Sequence, residues 1–395
     1  MNSRNSKYTT WLVVLVSLLA ACTPATTSPP AAPTIIPVTV IPAPTNTPIA
    51  STAVSASIYV ITDVAIVDVE NGSAVPGQTV IVVGDRIAKI GAQEKLSVPE
   101  GAEIINGHGL YLMPGLVDAH VHYLEAPIFG RLMIANGVLL VRDMGMPNEY
   151  ILPLRDELNQ GVTLGPEMVA TGAILDGNPP QIPQISIGVQ TPEEGRTAVQ
   201  KQADAGVDMI KVYTTLDRES FLAILDEANK LGLKVVGHVP DSIYIEDAAA
   251  AGLASSEHWF GFEKAIAKLL GEPVNLTFTG FGSDSDYLLR LDEVDPQALQ
   301  DFYQRLRASG LTVDPTVVTF KNWSNVNSLE DVRSLPNGEY ISKNLLDIWK
   351  SQWAGQTEFP DLFWQNWVQM VKEMNKAGIP LMVGTDLMCP GIIPG

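Results

Sequence analysis

Two histidines separated by one residue are the first feature of the chain that is suited to chemistry. His120 and His122 close the apolar run Leu116–His122, which follows a Pro114-Gly115 turn signal and has the length of a buried strand. Alternate side chains of a strand point the same way, so the two imidazoles would lie side by side and could bind one divalent metal ion. Two hydrogen-bonded polar residues on a half-exposed strand fit the same run equally well.

Four other short runs, three of them mainly apolar, end in a side chain that can bind a metal or move a proton. These runs are Val207–Lys211, Val235–His238, Ser255–His258 and Leu381–Asp386. Each one by itself is more simply a lone polar residue at a strand end. Together with the first pair, however, they include four of the chain's five histidines. An unpaired amine at the end of an apolar run is also costly to bury. The joint pattern therefore favours one polar centre built from several strand ends.

The ordered set of segments resembles the amidohydrolase superfamily of metal-dependent hydrolases. The resemblance covers the chain from about residue 58 onward and is carried by Pro114–His122, Ile210–Tyr213, Gly237–Pro240, Glu257-His258 and Gly384–Asp386. It implies hydrolysis of a C–N bond in a small molecule or short peptide by metal-activated hydroxide. The segments around Lys211 and His238 look most like the imidazolonepropionase and Xaa-Pro dipeptidase branch. That branch implies a dipeptidase-like activity.

The resemblance also implies a role for each matching residue. One metal would be bound by His120 and His122 and a second by His238 and His258, with a carboxylated Lys211 bridging both and Asp386 binding the first metal and carrying the proton. Carboxylation is needed because a free lysine is protonated near neutrality and is a poor ligand. We expect two zinc ions, with manganese, iron or a single ion as alternatives. For Lys211 the alternative is a salt bridge to Asp208 or Asp386.

Two further residues are candidates for substrate binding. Tyr213 lies two positions beyond Lys211, so it would face the same opening and donate a hydrogen bond to a substrate carboxylate or oxyanion. An aromatic residue of the rim is the alternative. Arg142 lies next to the last residue of another predicted strand and can pair with a substrate carboxylate in bidentate fashion. The adjacent Asp143 offers Arg142 an internal partner instead.

The elements that would position these residues alternate between strands and helices. Strands are predicted at Leu116–His122, Val138–Asp143, Glu167–Thr171, Met209–Tyr213, Lys234–Val239, Ala254–His258, Leu311–Val317 and Leu381–Asp386, and helices at Glu193–Ala205, Arg218–Leu231, Ile245–Ala251, Pro296–Ser309 and Asp361–Ala377. This order is typical of an α/β protein with a (β/α)8 TIM-like barrel, in which the active site forms at the carboxyl ends of the strands. The long segments Trp259–Val294 and Phe320–Phe359 are expected to cover the pocket.

The chain before the barrel divides into three parts. Residues 1–22 form a signal peptide that ends in Leu19-Ala20-Ala21-Cys22, which resembles the lipobox of bacterial lipoproteins. We therefore expect an exported protein, lipid-anchored through Cys22 at the cell envelope, with an ordinary cleaved signal or an uncleaved anchor as alternatives. Residues 23–57 are rich in Pro, Thr and Ala and predict a disordered spacer. Residues 58–113 contain short β-rich runs between turn signals, which predict a small β domain.

The end of the chain carries a separate expectation. Residues 114–395 would be the barrel, which stops soon after Asp386. We therefore expect a chain truncated after the eighth strand, so that the small β-sandwich-type unit is left incomplete. A truncated chain of this kind could be an inactive fragment. Within the small unit, His108 stands between two glycines and is expected to be a turn residue.

Composition excludes several classes of function. The 395 residues, of which 46% are hydrophobic and 17% charged, are typical of a globular protein with a full core. A formal net charge of −19 argues against nucleic acid as a partner. Two cysteines, Cys22 and Cys389, exclude a disulfide framework and a Cys-rich metal site. The expected partners are a substrate and, through the lipid, a membrane, with a homo-oligomer left open. The alternative to an enzyme is a non-catalytic, lipid-anchored ligand-binding protein.

Overall fold

The structure is a computed structural model that describes residues 57–277, 284–319, 321, 328–353 and 359–394. Cys22, the predicted signal peptide and nearly all of the predicted spacer lie outside the described residues. So do parts of the two segments predicted to cover the pocket. Among the helices in the described ranges, none combines the length and the apolar character needed to cross a membrane.

The first folded unit is a five-stranded sheet. Its strands are β1 (Ile58–Val67), β2 (Ala74–Val83), β3 (Arg86–Ala92), β4 (Glu103–Asn106) and β5 (Tyr111–Leu112), in the order β3-β2-β1-β4 with β5 also on β1. β1 is antiparallel to β2 and parallel to β4 and β5. The described residues thus form one sheet here and not the two layers of a sandwich. A short 3-10 helix, Gln93–Lys95, follows β3.

The second unit contains parallel strands alternating with helices. Its strands are β6 (Leu116–Val121), β7 (Val138–Asp143), β8 (Glu167–Ala170), β9 (Ile174–Gly177), β10 (Ser186–Val189), β11 (Met209–Val212), β12 (Lys234–Gly237), β13 (Leu253–Glu257) and β14 (Thr312–Asp314). They form two sheets, β6-β7-β8 and β10-β9-β11-β12-β13-β14, and every pair is parallel. Parallel strands place all of their carboxyl ends on one side of the molecule.

Helices follow most of these strands. They are α1 (Ala126–Ala135), α2 (Asn148–Asn159), α3 (Pro192–Ala205), α4 (Arg218–Lys230), α5 (Ile245–Ala250), α6 (Phe262–Leu269), α7 (Pro296–Ser309), α8 (Leu329–Ser334), α9 (Lys343–Trp353) and α10 (Asp361–Ala377), with 3-10 helices at Ser285–Glu293 and Gly338–Tyr340. Side-chain oxygens cap several of them, since Thr191, Asp217 and Asp295 each accept from a backbone N–H of the first turn. The strand residues Ile210, Val212 and Val313 are fully buried in the core beneath these helices.

A short segment, residues 380–387, joins the two parallel sheets. We predicted a regular strand over Leu381–Asp386, and this is wrong in detail, because the segment makes only isolated bridges to β14 and β6. The backbone N–H of Asp386 donates to the carbonyl of His120 at 2.7 Å. Asp386 itself has φ 54°, a left-handed conformation that interrupts a strand. With this segment between them, the two sheets are consistent with a TIM-like barrel.

Candidate metal centre

Three of the candidate residues meet at one point. The Nε2 atoms of His120 and His122 each lie 3.4 Å from Oδ1 of Asp386. The histidines come from the end of β6, where alternate positions face the same side, and Asp386 comes from the bridging segment. Ligand atoms of the three side chains lie within 4.8 Å of one another, close enough to hold a metal ion.

The other two predicted histidines extend this cluster. His238 and His258 directly follow β12 and β13, and their ring centroids are 4.9 Å apart. His258 also lies 4.8 Å from His120 between ring centroids, and its Nε2 is 3.9 Å from Oδ2 of Asp386. His258, like Asp386, has a left-handed backbone, with φ 61°. Such strained conformations in non-glycine residues collect at functional sites.

Each imidazole in the cluster has its Nδ1 atom engaged by another protein group. The Nδ1–H of His122 donates to the carbonyl of Gly145 at 2.8 Å. The corresponding distances are 3.1 Å from His120 to Glu257 Oε2, 2.9 Å from His238 to Thr214 Oγ1 and 2.5 Å from His258 to Thr316 Oγ1. A second group on Nδ1 fixes the ring and leaves Nε2 for a metal, which is the usual arrangement of metal-binding histidines.

Burial keeps most of these rings in the neutral form that binds metals. Desolvation lowers the pKa of His120 to about 4 and that of His258 to about 3. It also lowers the pKa of His238 well below its usual value. Burial acts the same way on His122, but the hydrogen bond and charge of Asp386 outweigh it and raise the pKa. Burial alone would raise the pKa of Asp386, yet the surrounding imidazoles hold it well below its usual range.

Lys211 is a buried amine at the next-to-last position of β11. It is 1% exposed, and in the described part of the chain its Nζ has no hydrogen-bond partner. Neither form of the predicted alternative, a salt bridge to Asp208 or to Asp386, is present among the described residues, and the Asp208 carboxylate lies 3.0 Å from Arg155 Nη1 instead. Desolvation lowers the pKa of Lys211 to about 8. A buried polar atom without a partner is costly, so Lys211 is suited to a further group at its Nζ.

Tyr213 lies beside the histidine cluster, as its position in the sequence predicts. Its ring stacks on that of His238 with centroids 4.0 Å apart, and Phe260 also stacks on His238 at 4.3 Å. Tyr213 is 9% exposed, and burial raises the pKa of its hydroxyl well above the usual value. Its hydroxyl therefore stays protonated, and its ring helps to hold His238.

Arg142, which the sequence predicts to bind a substrate carboxylate, is buried in the structure and is surrounded by polar groups of the protein itself. Its guanidinium is buried and lies 2.9 Å from Glu257, and the predicted internal partner Asp143 instead accepts from the backbone of Tyr123 and Gly145. The other groups around the Arg142 side chain are Ala119 O at 2.5 Å, Ser255 Oγ at 3.1 Å and Asp314 Oδ2 at 3.5 Å. Arg142 is therefore a structural cation of the interior.

Two buried carboxylates, Glu257 and Asp314, were missed as site residues. With His120 they form a second group of potential metal ligands, and both are fully buried. Arg142 lies within ion-pair distance of both, so this group already contains a cation, whereas no lysine or arginine pairs with the carboxylate of the His120–His122–Asp386 group among the described residues. The only sequence signal was that each ends a predicted or observed strand.

Comparison with known proteins finds a matching sequence family and solved structures with a similar fold. Residues 111–389 match the sequence profile of the Amidohydrolase family. Bottromycin amidohydrolase is similar in structure, with 22% identity, a TM-score of 0.62, and coverage of 86% of this chain and 71% of that chain. A prolidase complexed with N-methylphosphonate-L-proline has 19% identity, a TM-score of 0.58 and coverage of 85% and 80%. At these identities the likeness concerns the fold.

Similarity to curated sequences is local. Adenine deaminase 3 of Rhizobium meliloti is 36% identical over 75 residues, which are 18% of this chain and 13% of that protein. Adenine deaminase of Paracoccus denitrificans is 38% identical over 56 residues, which are 14% of this chain and 9% of that protein. The matched part thus spans a small share of the relatives' length.

Proposed function

Because the chain belongs to the Amidohydrolase family, we propose that it is a metal-dependent hydrolase that cleaves a C–N bond in a small molecule or short peptide. The observation that carries the proposal is the convergence at the end of β6. Two Nε2 atoms lie 3.4 Å from one carboxylate oxygen, and both rings are fixed through Nδ1. Imidazole and carboxylate ligands at such spacing are typical of zinc sites that keep a position open for water or substrate.

The residues present fit two divalent ions. His120, His122 and Asp386 would hold one ion, and His238 and His258 a second. Carboxylation of Lys211 would give its partnerless Nζ an anionic oxygen pair and supply a ligand to both positions. Zinc suits this donor set best, with manganese or iron as alternatives. A bound ion supplies polarisation of the scissile carbonyl and a lowered pKa for water.

Asp386 is the residue that would move the proton. Its lowered pKa keeps it ionised at neutral pH, so it can accept a proton from the attacking water and pass it to the leaving nitrogen. The Sγ of Cys389 lies 3.3 Å from Asp386 Oδ2 and donates to it, which orients this carboxylate. Tyr213 lies close enough to the cluster to contact the substrate from beside His238.

The resemblance to the Xaa-Pro dipeptidase branch supports a proposal for the substrate class, and the fold likeness to a prolidase agrees with it. We propose an Xaa-Pro dipeptide or an N-acyl amino acid, whose cleaved bond is an amide. Deamination of a purine, as the name adenine deaminase implies for the curated relatives, is the alternative C–N cleavage. The alternative to catalysis is a protein that binds a ligand at the same opening.

Metal analysis and a substrate panel test the proposal. The purified full chain is loaded with Zn²⁺, its metal content is measured, and it is assayed with Xaa-Pro dipeptides, N-acyl amino acids and adenine. We expect bound zinc and cleavage of an amide substrate, and loss of both in His120→Ala. His108→Ala is the matched control, because His108 is exposed and its Nδ1 pairs with Asp63 in the small sheet. A wild-type chain that binds no metal would refute the proposal.

A further inference from the structure

The four imidazoles of the cluster differ in the group that holds their Nδ1 atoms. Thr214 and Thr316 hold His238 and His258 through neutral hydroxyls, and a neutral carbonyl holds His122. Among the described contacts of these rings, only His120 has a carboxylate on Nδ1, at 3.1 Å from Glu257 Oε2. The two candidate metal positions are therefore supported unequally.

Glu257 is held firmly in this place. It is fully buried, and its Oε2 and Oε1 lie 2.9 and 3.1 Å from Arg142 Nη2. Ser255 Oγ donates to Oε1 at 2.5 Å. The nearby cation removes much of the penalty for burying a carboxylate, so Glu257 can remain ionised beside His120. The arginine, the carboxylate and the imidazole thus form one connected chain of buried contacts.

A charged acceptor on Nδ1 acts on the other nitrogen of the ring. It fixes the proton on Nδ1 and makes Nε2 a stronger donor to a metal than a hydroxyl or carbonyl acceptor does. The effect is larger in a buried site, because the local dielectric constant is low. His120 would therefore bind its metal more strongly than His238 or His258.

We propose that Glu257, anchored by Arg142, is a positioning residue that makes the metal position of His120, His122 and Asp386 the tighter of two. That position fills first, and the position of His238 and His258 fills at higher metal concentration. The inference rests on the proposed function, since it requires that the cluster binds metal. It also gives Arg142 a role inside the protein that differs from substrate binding.

The test is an equilibrium titration of the metal-free full chain with Co²⁺, followed by its absorption spectrum and by calorimetry. We expect two binding steps in the wild-type protein. In Glu257→Gln the tighter step should weaken by about 10–100-fold, the usual effect of losing an outer partner of a metal ligand, while the weaker step is unchanged. In Thr214→Val the weaker step should change and the tighter one should not.

The controls separate the inference from a general loss of stability. Glu263→Gln removes another buried glutamate, which lies on α6 outside the cluster, and should change neither step. An unchanged tighter step in Glu257→Gln, or equal weakening of both steps, overturns the inference. If Glu257→Gln does not fold, Ser255→Ala is titrated instead, and a tighter step equal to that of the wild type overturns it. A wild-type chain without metal binding refutes the proposed function itself.

Discussion

Lys211 and Lys264 are two buried lysines with opposite surroundings. Each is 1% exposed, but Lys264 Nζ lies 2.7 Å from Asp241 Oδ1, whereas Lys211 Nζ lacks a hydrogen-bond partner throughout the described ranges. Carboxylation would supply the missing polar partner at Lys211 Nζ, whereas Lys264 Nζ already has a carboxylate partner. We predict that Lys211→Ala lowers both the metal content and kcat. The decrease in kcat should exceed about 100-fold, because losing a group that only hydrogen-bonds to a metal ligand already costs up to about that much.

The modification itself can be observed. Wild-type protein equilibrated with ¹³C-bicarbonate should show a carbamate resonance in its ¹³C spectrum, and Lys211→Ala should not. Lys264→Met is the matched control, because it removes a buried lysine that already has a carboxylate partner. It should keep the resonance and the metal content. Equal activity of Lys211→Ala and wild type would contradict the bridging role.

The raised pKa of the buried Glu263 carboxyl group leads to a prediction of how the stability of the fold depends on pH. Burial raises the pKa of Glu263 from its ordinary 4.5 to about 8, and among the described residues its Oε2 has no hydrogen-bond partner. Nearby Asp241 raises this pKa further, and Lys264 lowers it. The folded protein therefore keeps a proton that the unfolded chain loses above pH 4.5, so stability falls as pH rises from 4.5 to 8.

Replacing this carboxyl by an amide should remove that part of the pH dependence. Glu263→Gln is expected to match the wild type near pH 4.5 and to have a free energy of unfolding that is higher by a few kcal/mol near pH 8. The upper limit is about 1.4 kcal/mol for each pH unit that separates the pKa of the folded protein from that of the unfolded chain. Urea unfolding of both metal-free proteins at several pH values measures the difference. Parallel curves for the two proteins would contradict the burial argument.

Gly237, at the end of β12, shows how closely the strands approach one another next to the site. It has φ +134°, and a Cβ there would lie 2.2 Å from the carbonyl of Val212 and 2.9 Å from Lys211 Cδ. We predict that Gly237→Ala destabilises the fold through both backbone strain and collision. Gly252 offers a matched control, since it has φ +108° but nothing within 4 Å of its Cβ position.

The two substitutions separate strain from packing. Gly252→Ala should cost only the strain of a left-handed or related backbone, about 1–2 kcal/mol. Gly237→Ala should cost a further 1–3 kcal/mol or so of overpacking and should also disturb Lys211. Chemical denaturation measures both values. Equal losses of unfolding free energy in the two variants would show that the collision with β11 adds nothing to the backbone strain.

The elements also show where reasoning from sequence succeeds. Helices α7 and α10 were predicted with the bounds that the structure has. Each has a strong end signal, because Pro296 follows a capping Asp295, and Gly310 and Gly378 follow the last turns in left-handed conformations. The short strands β9 and β10 were missed, because four-residue strands around a proline-rich connection give no clear periodicity.

Side-chain direction was the harder problem at the site. The meeting of His120 and His122 with Asp386 follows from strand periodicity and parallel strand ends. The inward direction of Arg142 does not, because Val141, Arg142 and Asp143 are all buried and show no alternation between exposed and buried positions. When both faces of a strand are covered, sequence alone cannot tell which neighbour faces the centre. Glu257 was missed for the same reason.

At the scale of the whole molecule, the proposed lipid anchor at Cys22 has to overcome the charge of the protein. A net charge of −19 disfavours contact with anionic membrane surfaces, so the unmodified chain should not remain on them. Acyl chains contribute about 0.8 kcal/mol for each buried CH₂ group, enough to hold the protein when more than one chain is attached. We predict that the wild-type chain expressed in bacteria fractionates with membranes and that Cys22→Ala does not.

Cys389→Ala provides the control for this experiment, because it removes the chain's other cysteine, which lies beside Asp386 in the candidate metal centre. This variant should stay in the membrane fraction and should take up radiolabelled fatty acid as the wild type does. Cys22→Ala should lose the label as well as the membrane association. A wild-type protein that takes up no label, together with a Cys22→Ala protein that still sediments with membranes, would show that an uncleaved apolar segment, and not a lipid, holds the protein there.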